Sequence, residues 1–321
     1  MAMAAAMAVC GVTMAQAPAA QAPAPQASPV TNPFPAPNPK NFTAASPSRE
    51  EVNAFLTALW GYDENRMWSV AAILKTTAPG MAKVVVLVAD KSQPTKVQTS
   101  EFLTTPDGKH AVAGQVVEFG AKPWADNRKV LMEQANGPSR GAKSKELELV
   151  EFADLQCPHC KDAQEIMNNL ANDFPQAHIV FENLPLEMHP YAFRAAAEGL
   201  CVRKAKGDDA FFTYTATVFN KQDSLTPELV DQTLATAVAA AGGDPVTAAT
   251  CAKTPEIAAD IKASTKLSDD LGVDQTPMLA VNGHLLPITA FPYETLKKII
   301  VWQAKQDGIV ISLQPSLSNL K

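Results

Sequence analysis

The sequence predicts two folded units, a small α+β domain followed by a larger α/β domain that carries a helical insertion. Three observations lead there. Strand-like apolar runs cluster in residues 68–119, helical periodicity dominates residues 192–252, and a strand-to-helix junction in residues 146–172 carries two closely spaced cysteines. At 321 residues the chain can bury two cores. Its 27 Lys plus Arg against 33 Asp plus Glu give a formal charge of -6, and the longest basic cluster is Lys297-Lys298. A phosphate-tracking nucleic-acid surface is therefore not expected.

The chain opens on an apolar, uncharged run over residues 1–15, followed by Ala15-Gln16-Ala17, which fits a small-x-small cleavage site. Residues 1–17 read as a secretory signal peptide, although a basic leading segment is missing; an Ala-rich tail is the alternative. The run is too short to span a bilayer. Eight prolines between Pro18 and Pro39 mark residues 18–45 as an Ala/Pro-rich linker. Removing residues 1–17 would discard Cys10 and leave an even set: Cys157, Cys160, Cys201 and Cys251.

Residues 46–121 make the small α+β domain. Ser46 or Ser48 as a cap, early Glu50 and Glu51, and Val52, Phe55, Leu56 and Leu59 at helical spacing predict a helix over 48–59. Residues 68–74, 83–89 and 96–103 read as strands, and Thr105-Pro106-Asp107-Gly108 as a turn into a further strand over 110–119. Its one histidine, His110, has no Cys, Asp or Glu at ligand spacing and suggests no chemistry. Residues 122–145 read as a connecting helix, 126–135, and a hinge, 136–145, because two glycines and a proline fall there.

The second domain, residues 146–306, opens with an apolar strand over 146–153 that runs through Asp154-Leu155-Gln156 into Cys157-Pro158-His159-Cys160, followed by a helix over 161–172. A helix N-terminus presents unpaired N–H groups and partial positive charge, which stabilise a thiolate at Cys157. The two-residue spacing puts Cys160 one turn on, within disulfide reach, so it can resolve a mixed disulfide formed at Cys157. His159 between them can add hydrogen bonds or positive charge. A zinc site would need a second such pair or a paired histidine motif, and covalent haem attachment would need His directly after Cys160, where Lys161 stands. A purely structural local disulfide is the remaining alternative.

Glu151-Phe152-Ala153-Asp154-Leu155-Gln156-Cys157-Pro158-His159-Cys160, with Gly272-Val273-Asp274-Gln275-Thr276-Pro277 and Val281-Asn282-Gly283 downstream, resembles the DsbA-like thiol:disulfide oxidoreductases over roughly residues 140–306. The resemblance implies a thioredoxin-like fold with a helical insertion, acting on exported proteins. It implies Cys157 as nucleophile, Cys160 as resolving thiol, Pro277 as a cis-proline opposite the disulfide, and Glu151 as a buried proton-relaying acid. A solvent-facing strand residue is the alternative for Glu151, and an ordinary strand-initiating proline the alternative for Pro277. Through a cis Pro277, Thr276 would present its backbone to an extended substrate. Thr276 is the residue of isomerase-like relatives, whereas Pro158-His159 is the pattern of strong oxidases.

The insertion, residues 188–265, shows helical patterns over 192–204, 209–219, 227–241 and 245–252, with Cys201 in the first and Cys251 in the last. In an exported protein the two are expected to bond, and the resemblance supports a second disulfide there; two buried free thiols are the alternative. A closing helix over 293–305 should bury Leu296, Ile299, Ile300 and Trp302, leaving 307–321 as a tail.

The expectation is a periplasmic or secreted oxidoreductase without metal or cofactor beyond the Cys157–Cys160 disulfide. Its partners would be reduced or misfolded exported proteins, and the resemblance implies a membrane redox partner. Two alternatives are a dimeric isomerase of the DsbC or DsbG kind, joined through the small domain, and a non-enzymatic chaperone-like binding module with a static disulfide.

Overall fold

The computed structural model describes residues 32–113 and 116–311. The expected signal peptide with Cys10, the first half of the linker (18–31), and the tail beyond residue 311 lie outside the described residues.

In the first unit α1 (Arg49–Trp60) starts at a capping box in which Glu51 N–H donates to Ser48 Oγ and Ser48 N–H to Glu51 Oε2. Five strands, β1 (Arg66–Lys75), β2 (Ala82–Asp90), β3 (Gln93–Thr104), β4 (His110–Val112) and β5 (Val116–Glu118), form an antiparallel meander in chain order. Val52, Phe55 and Leu56 of α1 pack on Val70, Ile73, Val84, Val86 and Phe102 from one face of that sheet. The expected single strand over 110–119 is instead the short pair β4 and β5, hydrogen-bonded to each other. His110 does have an acidic neighbour: its Nδ1 lies 3.2 Å from Asp107 Oδ2, a pairing within the turn.

The second unit comprises α2 (Ala125–Gln134), β6 (Ser139–Gly141), β7 (Glu148–Ala153), α3 (Pro158–Asp173), β8 (His178–Asn183), α4 (Ala192–Lys206), α5 (Asp208–Asn220), α6 (Val230–Ala240), α7 (Pro245–Cys251), α8 (Pro255–Leu271), β9 (Met278–Val281), β10 (His284–Pro287) and α9 (Tyr293–Gln306). Its sheet runs β10-β9-β7-β8-β6, with β7 and β8 parallel and the other pairs antiparallel. β7 is central and buried along its whole length, which is why it reads as a near-continuous apolar run. Alternation then divides its residues. Leu149 faces α3 and α9, packing with Met167, Leu170, Leu296 and Ile300, whereas Val150 and Phe152 face α2 and α8, packing with Leu131, Leu267 and Leu271.

Three expectations need correction here. The hinge over 136–145 is not a hinge: β6 is an edge strand bonded to β8, and Asn136 and Gly137 N–H groups both donate to buried Glu182. Gly141 sits there because φ is +85° and a Cβ would lie 2.3 Å from Ala177 O, not because the chain must flex. The helical layer extends past residue 265 through α8, while α6 starts only at Val230, the chain from Thr226 to Leu229 being a turn. Trp302 is only half-buried and does not join the α9 core; its Nε1–H donates to Ala58 O at the end of α1, so it docks the first unit on the second. Beside that contact, Trp124 stacks on His284 with centroids 4.4 Å apart, and burial pulls His284 down to about 4.

Cys201 on α4 and Cys251 on α7 are disulfide-bonded, closing a 50-residue separation across the insertion. No helix among the described residues is long and apolar enough to cross a membrane.

Candidate active site

Cys157 is the residue that caps α3 at its N-terminus, with Pro158 at the first helical position, where a missing N–H costs nothing. The loop from β7 reaches it in three residues, and Cys157 N–H donates to Asp154 O. Both cysteines are free thiols, Cys157 5% exposed and Cys160 fully buried among insertion residues such as Phe211 and Tyr214. Pro158 and His159 are exposed.

The two sulfurs are electrostatically unlike. Cys157 is pulled from 9.0 down to about 5, chiefly by a hydrogen bond from the Cys160 thiol, with Thr276 and the backbone N–H groups of Cys160 and His159 adding to it against the opposing effect of burial. Burial pushes Cys160 far up, so its proton stays in place while that of Cys157 is lost. The N–H groups of the helix start thus add to the larger effect of the Cys160 thiol, and the imidazole of His159 is not among the groups that lower Cys157.

Opposite the cysteines, the Thr276–Pro277 peptide is cis and Pro277 is buried at the start of β9. In the thiol form Cys157 Sγ donates to Thr276 O at 3.8 Å. Thr276 Oγ1, distinct from that carbonyl, is buried with no hydrogen-bond partner among the described residues, so it can turn to donate once Cys157 is a thiolate.

Glu151 lies on the α3 side of β7, buried, and accepts from Gln164 Nε2 at 2.8 Å; the same amide also donates to Cys160 O at 3.1 Å. Burial raises Glu151 to about 7, against the opposing pull of Gln164 and of the Arg140 charge. The structure thus brings Glu151, Cys157, Pro158, His159, Cys160, Thr276 and Pro277 to one end of the sheet. Gln164 and Gln222 lack any local sequence signal, and the role of Asp154, though it stands in the cysteine motif, comes only from its tertiary partners. Gln222 Nε2 donates to Leu155 O and Cys157 O, Gln164 bridges as above, and buried Asp154 accepts from Gln156 N, Leu186 N and His189 Nδ1. Among the described residues no group of three or more His, Cys, Asp or Glu side chains is placed to hold a metal.

Among solved structures, this chain is similar to a periplasmic thioredoxin-like protein of Salmonella enterica serovar Typhimurium, with 23% identity, TM-score 0.48, and 56% of this chain and 96% of that one covered. It is also similar to the catalytic domain of Proteus mirabilis ScsC, with 23% identity and TM-score 0.47 over 56% and 98% of the two chains. Bacillus subtilis BdbD in its oxidised form gives 22% identity and TM-score 0.48 over 53% and 93%. A curated relative, Na(+)/H(+) antiporter NhaA 3 of Salinispora tropica, is 33% identical over 89 residues, 27% of this chain, and the match spans only 13% of that antiporter. A family model described as Thioredoxin matches residues 133–301, more than half of the chain and the whole site from Glu151 to Pro277. The chain belongs to the thioredoxin family.

Proposed function

We propose that the protein is a thiol:disulfide oxidoreductase that forms disulfides in exported proteins through Cys157 and Cys160. One observation carries this reading: two cysteines a turn apart at a helix start, one held toward the thiolate and the other held as a thiol. In the oxidised enzyme a substrate thiolate attacks Cys157 Sγ, the Cys157–Cys160 bond breaks, and Cys160 leaves and takes up a proton. A second substrate thiolate then attacks the substrate sulfur of the mixed disulfide and Cys157 leaves as a thiolate. Two substrate thiols are oxidised, the cysteine pair is reduced, and the sulfurs carry both electrons without a cofactor. A leaving thiolate stabilised at about 5 drives the exchange toward substrate oxidation.

We assign uptake of the Cys160 proton, when the disulfide re-forms, to Glu151, which is raised to about 7 and held beneath the pair by Gln164, whose amide also donates to the Cys160 carbonyl. Reoxidation needs an electron acceptor, which we assign to a membrane redox partner. Export to an oxidising compartment, periplasmic or extracellular, is supported by the Cys201–Cys251 bridge. A second reading, reshuffling of wrong disulfides by a dimer joined through the first unit, draws on Thr276 beside Cys157; a strict monomer in sedimentation would remove it. Cys157→Ser should abolish oxidation of a reduced, unfolded protein substrate, and normal activity in that variant would end the proposal.

A further inference from the structure

Asp154 is bonded on both of its sides. Its backbone holds the cysteines: Cys157 N–H donates to Asp154 O at 3.1 Å, and Asp154 N–H donates to Cys160 Sγ at 3.4 Å. Its carboxylate holds two loops together. Oδ1 accepts from Gln156 N–H at 2.6 Å, while Oδ2 accepts from Leu186 N–H and from His189 Nδ1, each at 2.8 Å. A carboxylate can only accept, which places a proton on Nδ1 of His189. Asp154 is 1% exposed, so none of these partners is replaceable by bulk water without cost. His189 comes from the segment between β8 and α4, 35 residues away, and is itself partly exposed while the carboxylate it bonds is buried.

We propose that His189 is a positioning residue for the redox pair: acting through Asp154, it fixes the loop that sets Cys157 and Cys160 against the start of α3. The assignment rests on the oxidoreductase reading of that pair. Its consequence is chemical as well as structural. The groups that favour the Cys157 thiolate are the Cys160 thiol, the Thr276 side chain and the N–H groups of Cys160 and His159, and all but Thr276 belong to the turn and helix start that Asp154 seats. Without the His189 donor one acceptor site of Asp154 is left short, the turn loosens, and those hydrogen bonds lengthen. Gln156 N–H, Leu186 N–H and the Gln222 tether remain, so the fold is retained and the effect falls on the sulfurs.

Three variants test this: His189→Ala, His189→Leu, which keeps bulk without a donor, and His189→Asn, whose amide nitrogen replaces Nδ1. Two quantities are read on folded protein, the thiolate titration of Cys157 and the equilibrium of the Cys157–Cys160 disulfide with glutathione. Loss of one hydrogen bond to a charged group is expected to shift that equilibrium about tenfold toward the disulfide, about 30 mV for a two-electron couple. The Cys157 midpoint should rise by about one unit in His189→Ala and His189→Leu. His189→Asn should restore both quantities to within about threefold of the unsubstituted protein. Should Ala prove unstable, the contrast between Leu and Asn makes the same comparison. Variants that lower the melting temperature yet leave both quantities unchanged would overturn the assignment while leaving the oxidoreductase reading intact. An unsubstituted protein that does not exchange with glutathione would overturn both.

Discussion

Glu151→Gln removes an ionisation without changing the shape of the side chain, and the structure fixes what this should do to stability. The folded carboxyl sits at about 7 instead of 4.5 because β7 buries it. At roughly 1.4 kcal/mol per unit, that difference corresponds to about 3 kcal/mol between its two protonation states. The raised value means that the folded protein holds a proton which the unfolded chain has released. The stabilising contribution is therefore complete below about pH 4.5 and is lost as pH rises through about 7. Cys157 has the opposite sign: its folded value lies below the unfolded one, so its contribution is present above 9 and lost as pH falls toward 5. To separate them, chemical denaturation should be followed from pH 4.5 to 8 in a Cys157→Ser background, where Cys160 remains protonated. The Glu151 protein should lose about 3 kcal/mol relative to the Glu151→Gln protein over that range. Parallel profiles for the two would refute the buried, proton-holding role of Glu151.

Replacing Cys201 and Cys251 together by Ala should cost about 4 kcal/mol on the chain-entropy account of a 50-residue loop, read by denaturation under non-reducing conditions, with oxidation of substrate unchanged. Equal stability would count against the bridge as a brace. Gly61→Ala would place a Cβ 2.2 Å from the Trp302 ring and 2.6 Å from Thr57 O, so the ring or the end of α1 must move at a cost of about 1–3 kcal/mol, visible as altered Trp302 fluorescence and a lower melting temperature. Unaltered fluorescence would mean that α1 does not rest on Trp302.

The parts of the fold that were legible in the sequence are those whose signals are local. Ser46 and Ser48 ahead of Glu50 and Glu51 mark a helix start, the apolar run ending in Ala153 marks a buried strand, and Cys157-Pro158 marks a helix N-terminus just after it. The edge strand β6 was illegible because its three residues carry Gly141 and follow Gly137-Pro138. Those residues read as a break, yet they sit where the backbone passes close to its neighbours. Trp302 was misplaced because periodicity reports which positions are apolar, not that a second unit will cover one of them. At the site, the cysteines, Asp154 and Pro277 stand in motifs, whereas His189 reaches Asp154, and Gln222 reaches Leu155 and Cys157, only through tertiary structure across separations of 35 to 67 residues.

The central claim is that Cys157, and not Cys160, is the thiolate of the reduced pair. Titration of the ultraviolet thiolate absorbance of the reduced protein, repeated with Cys157→Ser, tests it directly. One transition with a midpoint of about 5 that disappears in Cys157→Ser is the result expected. A midpoint near the ordinary 9.0, or an acidic transition that survives the substitution, would contradict it.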